Sequence, residues 1–130
     1  MGNEQIFLTR EGHFDAAHNL INYEGACSRM HGHRWLVKAI FGPYTEEDLD
    51  AAGIALDFKV IKAIMADSID TYDHQYLNNF FILPSAEMIS LSILRDMQRM
   101  IAGSVTLKQI ARLHAIEVYE SPESCCRVEV

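Results

Sequence analysis

The stretch ACSRMHGHRW, positions 26–35, places a thiol, two arginines and two histidines within ten residues. His31 and His33 are two apart, so on a strand both rings point to one face and can converge on a single ion. His18, at the end of the extended segment before them, can supply a third nitrogen. Imidazole nitrogens suit zinc, and three protein ligands leave one tetrahedral position open, the mark of a catalytic rather than a structural zinc site. An isolated H-x-H pair among six histidines is also what chance and surface composition produce. His13 and His114 read as ordinary sheet residues.

Two other uses of H-x-H fail here. A cupin places an acidic ligand three or four residues after the pair, where this chain has Val37 and Lys38. An amidohydrolase barrel needs about 250 residues, and the chain has 130.

Cys27 stands four positions before His31, in the loop that leads to the histidines. Nearby positive charge, from Arg29 or a metal, lowers a thiol's pKa and makes it a base or nucleophile; a buried inert cysteine is the other reading. Asp73-His74 sets a proton acceptor beside a carboxylate. Adjacent residues do not face each other on a regular helix, so the two act together only where the helix ends. Glu120 closes a strand at VYESPES and Glu87 opens a helix. A carboxylate can accept two parallel hydrogen bonds from an amidine-like edge such as that of a pterin or guanine. Solvation explains either glutamate equally, and the helix dipole explains Glu87.

These residues need elements to position them. QIFLTREGHFDAAH reads as a strand ending near His18, and His31 to Tyr44 as a second that stops at the Gly42-Pro43 turn, the two pairing antiparallel. Asp57 is placed to cap a helix with Phe58, Ile61, Met65 and Ile69 at helical spacing, ending near YDHQYLNN. Ser85 caps a second helix, with Ile89, Ile93, Met97 and Ile101 on one stripe and Gly103 as its stop. LHAIEVYE and CCRVEV form a hairpin around SPES. This order predicts a single α+β domain over 1–130, a four-stranded antiparallel sheet with two helices on one face. Its other face and two edges stay uncovered, so assembly into a homo-oligomer is expected.

A formal charge of −7 argues against binding a nucleic-acid backbone. A local cluster such as Arg29, Arg34 and Lys38 can still attract a small phosphate. No apolar run approaches a membrane span. The start MGNEQIFLTR lacks the regions of a secretion signal, and Ile6 spoils a myristoylation pattern, so a cytoplasmic protein is expected. Cys27, Cys125 and Cys126 make an odd set, expected to be free thiols.

FDAAHNL, CSRMHGHRW, GIALDFKVIK, YDHQYLN, LPSAE and VYESPES, in this order, resemble the 6-pyruvoyltetrahydropterin synthase and 6-carboxytetrahydropterin synthase family from about Phe7 to the carboxyl terminus. The C-x-x-x-H-G-H spacing is similar to that of the 6-carboxytetrahydropterin synthases of queuosine (preQ0) biosynthesis. The resemblance implies the tunnelling fold, with trimeric barrels stacked as hexamers and active sites between subunits. It implies zinc on His18, His31 and His33, Cys27 as catalytic thiol, Asp73 and His74 as its acid–base partners, and Glu120 as pterin anchor. Ser85, where the family's P-T-x-E motif has threonine, and Glu87 would lie at the pterin pocket, as would Cys126, where a small residue is usual. The implied activity is a carbon–carbon lyase acting on 7,8-dihydroneopterin triphosphate. A 6-pyruvoyltetrahydropterin synthase and a non-catalytic zinc-binding member of the fold are the alternatives.

Overall fold

The computed structural model describes residues 2–130. Two long strands, β1 (Ile6–His18) and β2 (His31–Tyr44), form an antiparallel pair whose register runs from Ile6 opposite Tyr44 to His18 opposite His31. Burial along β1 alternates with period two and leaves Phe14, Ala16 and His18 inside, because successive side chains leave a strand on opposite faces. β2 spans His31–Tyr44 as expected, and Gly42-Pro43 lies within its last residues rather than turning the chain away. Gly42 makes this possible: its φ is 146°, and a Cβ there would lie 2.7 Å from the Ile6 carbonyl oxygen. The β1–β2 register shifts at this point, between Ile6 and Leu8.

Helix α1 (Phe58–Asp70) begins where the Asp57 carboxylate accepts a hydrogen bond from the Lys59 amide at 2.8 Å. Ile61, Ile64, Met65, Ser68 and Ile69 are its buried residues. Phe58, assigned to this stripe by spacing, lies in the first turn and is exposed rather than core, with 47% of its area accessible. The helix ends at Asp70, two residues before the YDHQYLNN segment near which its end was expected. Its chain then forms β3 (Gln75–Tyr76), a two-residue parallel partner of β1. Helix α2 (Ala86–Ala102) is capped by Ser85, whose hydroxyl accepts from the Met88 amide, and closes at Gly103. Ile89, Ile93 and Met97 are buried as their spacing requires, while Ile101 is half-buried.

A short helix, α3 (Val105–Ile110), leads into the hairpin of β4 (Leu113–Ser121) and β5 (Ser124–Glu129). The sheet order is β3-β1-β2-β4-β5. The expectation of four antiparallel strands and two helices is therefore corrected to five strands, one of them short and parallel, and three helices. The α+β class stands.

The core lies between one sheet face and the helices: Trp35, Val37, Phe41, Ile116 and Val118 meet Ile61, Met65, Ile89, Ile93 and Met97. Burial at this scale is the main stabilising term. On the opposite face Lys38 pairs with Glu11 at 3.5 Å and lies over the Tyr119 ring, and Arg127 reaches Glu117 at 2.7 Å. Arg34 contacts His13 there, so Lys38 and Arg34 both have partners within the sheet. All three cysteines are free. Among the described residues no helix is long and apolar enough to cross a membrane.

Candidate metal and substrate site

The β1–β2 register puts His18 directly opposite His31, and His33 follows two residues along on the same face. The ring centroids lie 4.6 Å apart for His18–His31, 4.7 Å for His31–His33 and 5.2 Å for His18–His33. Trp35 forms the floor. It is fully buried, stacks on Phe14, holds the Ala16 carbonyl through its indole N–H, and meets the His18 and His33 rings edge-on.

Two of the rings are oriented by backbone carbonyls. His18 Nδ1 donates to the Pro84 oxygen and His31 Nδ1 to the Arg29 oxygen, each at 2.7 Å. A carbonyl only accepts, so Nδ1 carries a hydrogen in each ring and Nε2 is the nitrogen available to a metal. Burial, against the pull of Glu120, holds His33 below its ordinary pKa and favours the neutral ring that binds metal.

Glu120, one step past the Leu36–Tyr119 pair, joins the three histidines. One ligand atom from each of the four residues lies within 4.8 Å of all the others. Glu120 Oε1 is 3.0 Å from His33 Nε2 and 3.9 Å from His18 Nε2. Neither nitrogen has a hydrogen-bond partner, although both are buried. Close approach without hydrogen-bond alignment is what ligand atoms aimed at a common centre show, and a donor set of three imidazoles and one carboxylate fits zinc. Sequence reasoning assigned Glu120 to the pterin alone. Its place among the histidines depends on the β2–β4 register, which local pattern does not encode.

Glu120 also lines a cavity of about 330 Å³ with Ala86, Glu87, Ser124, Cys125 and Cys126. Glu87 and Glu120 thus border one cavity. Ser85 is not among the lining residues, and its hydroxyl is engaged in the α2 cap. Cys126 Sγ lies 3.3 Å from the buried Ser90 hydroxyl, which itself donates to the Glu87 carbonyl.

Of the remaining expected residues, His74 lines a cavity of about 540 Å³ together with Asp15, His33 and Arg34. Cys27 lies in a single 3-10 turn, Ala26–Ser28, half-buried, and its carbonyl accepts from the Leu20 amide. It stands outside the four-residue cluster. Asp73 and His74 follow the end of α1, and the positive φ of His74, 58°, turns its ring back so that Nδ1 is 2.9 Å from Asp73 Oδ2. The Asp15 amide donates to Asp73 Oδ1, and with the His74 ring it holds the Asp73 carboxyl below the usual carboxylate range. Asp15, Asp73 and His74 form a second cluster, in which sequence reasoning missed Asp15 because its contribution is a sheet-edge contact.

A model of the 6-pyruvoyl tetrahydropterin synthase family matches residues 7–130. A 6-carboxy-5,6,7,8-tetrahydropterin synthase from Synechocystis is 31% identical over 124 residues, covering 92% of this chain and 90% of that one. The enzyme of the same description from Bacillus subtilis is 30% identical, covering 92% of this chain and 82% of its own length. In three dimensions the chain is similar to the Caenorhabditis elegans 6-pyruvoyl tetrahydropterin synthase, with a TM-score of 0.79, 19% identity and coverage of 98% and 96% of the two chains. At that identity the likeness establishes the tunnelling fold.

Proposed function

The chain belongs to the 6-pyruvoyl tetrahydropterin synthase family, and from that premise we propose that it is a zinc-dependent 6-carboxy-5,6,7,8-tetrahydropterin synthase of queuosine (preQ0) biosynthesis. It is a lyase acting on pterins, as are the relatives of that description to which it is similar. The substrate is 7,8-dihydroneopterin triphosphate, converted with one water to 6-carboxytetrahydropterin, acetaldehyde and triphosphate. The convergence of three imidazole nitrogens, two of them buried without hydrogen-bond partners, carries the reading.

His18, His31 and His33 would hold the zinc, which supplies Lewis acidity toward side-chain oxygens of the substrate. The protein's own groups do the rest. Glu120 and Glu87 border the cavity and offer carboxylate oxygens to the amidine-like edge of the pterin. Ser85 acts there through the helix end it caps. Cys27 is the thiol that accepts and returns a substrate proton, and the Asp73–His74 pair, already in contact, exchanges the second. On this reading assembly into a trimer or hexamer completes the working site, bringing Cys27 and an Asp73–His74 pair, which are not part of the four-residue cluster, to the metal. The protein works in the cytoplasm, on a small molecule, without nucleic acid or membrane.

Zinc-loaded protein given 7,8-dihydroneopterin triphosphate should release a 6-carboxy product and acetaldehyde, identified by mass spectrometry. A 6-pyruvoyl product would move it to the other branch of the family; unchanged substrate with zinc bound would leave a non-catalytic protein. Cys27→Ala should lose turnover and keep zinc, whereas His31→Ala should lose both. Equal loss of zinc in the two variants would contradict these roles.

A further inference from the structure

We propose that Glu120 is a displaceable fourth metal ligand, so that a heterocycle entering the cavity beside it draws the carboxylate away and opens the metal's fourth position. The inference rests on the reading above, that a metal sits among the histidines and that the cavity takes a pterin.

Geometry makes Glu120 a ligand. Zinc bonds of about 2.0–2.1 Å in a tetrahedron place neighbouring ligand atoms about 3.4 Å apart. Glu120 Oε1 stands at 3.0 and 3.9 Å from two histidine nitrogens, on either side of that value. With Glu120 in place the site has four protein ligands, the closed arrangement of a structural zinc; with Glu120 gone it has three and an open position.

Its neighbours make it the ligand that leaves. His18 and His31 are each anchored by a 2.7 Å bond to a backbone carbonyl. Among the described residues no hydrogen bond anchors the Glu120 carboxylate, and 30% of that side chain is accessible, against 1% for His18. The same carboxylate borders the 330 Å³ cavity with Glu87 and Cys126. A carboxylate that accepts two parallel hydrogen bonds from an amidine edge commits both oxygens to one plane. Each oxygen has a second lone pair, but turning into the plane of the ring takes Oε1 off its present approach to the His33 and His18 nitrogens, so ring binding and ligation compete. The device keeps the metal closed until the ring is seated.

The test uses the full chain loaded with cobalt(II), whose visible absorption is strong for four-coordinate sites and weak for higher coordination. The probe is 6-methylpterin, which carries the amidine edge but no side-chain oxygen to bind metal. The spectrum of the native protein should change as 6-methylpterin is added, saturating with the quenching of pterin fluorescence. Glu120→Gln should bind metal about 10-fold or more weakly, and its spectrum should not respond to the probe. Glu120→Asp, which keeps the charge, gives a second variant if the glutamine form fails to fold, and its cobalt spectrum should differ from the native one before any pterin is added. If 6-methylpterin binds the native protein and the cobalt spectrum does not move, the displacement is wrong and the pterin reading survives. If 6-methylpterin does not bind at all, the functional reading itself falls.

Discussion

His18 and His31 are both metal ligands in the proposed site, yet they should behave differently when no metal is present. His18 is 1% exposed and its Nδ1–H satisfies the carbonyl of buried Pro84. Removing the ring leaves that acceptor unpaired, at a cost of about 1–3 kcal/mol beyond the lost packing. His31 satisfies the carbonyl of exposed Arg29, where water can replace it. In metal-free protein, His18→Ala should therefore lower the thermal midpoint by several degrees, and His31→Ala should leave it nearly unchanged; calorimetry of the two apo variants decides this. The three histidines were legible in the sequence because a period of two fixes the face of His31 and His33, and His18 needed only the hairpin. Glu120 and Trp35 were not legible as their companions, since one depends on a register set 80-odd positions along the chain and the other is an ordinary aromatic until the rings meet it.

At the scale of elements, the caps were readable because they are local: Asp57 and Ser85 each bond an amide within three residues. Ser85→Ala should cost about 1 kcal/mol, read as a shift in the urea midpoint, while Ser85→Thr should keep most of it because threonine also caps. If Ser85→Ala changed KM without changing stability, the hydroxyl would be a substrate contact after all. α3 escaped because six residues are too few to show a helical period, and β3 because two residues become a strand only by pairing with β1. The turn at Glu46–Asp48 is tied to the start of β4 by Arg112, which donates to both Asp48 oxygens at 2.9 Å. That pairing, with the Thr45 amide, holds the Asp48 carboxyl below its ordinary value. A depressed folded pKa adds stability above the unfolded value of about 3.9 and loses it as pH falls through the folded one. The urea midpoint of Asp48→Asn should thus fall below that of the native protein at neutral pH, and the difference should close in acid.

For the whole molecule, the question is what covers the free edge of β1. Asp15 offers both its N–H and its C=O away from β2, to Asp73 and to the His74 amide. Backbone groups alternate in an antiparallel strand, so those of His13, Glu11 and Thr9 also point outward, past the reach of the two-residue β3. At the far side of the sheet β5 presents the other open edge. Two free edges on one sheet can pair between copies and close a ring, which leaves no edge exposed. Proline at Thr9 removes one outward donor and leaves the hydrogen bonds to β2 in place. Thr9→Pro should therefore keep the native circular dichroism spectrum while sedimentation velocity shows monomers in place of the proposed trimer or hexamer. Lyase activity should disappear with the oligomer even though zinc stays bound, because the histidine cluster is built within one chain whereas the proposed working site is completed between copies. An active Thr9→Pro monomer would mean that one chain completes its own site, and an intact oligomer would mean that the contact between copies lies elsewhere on the sheet.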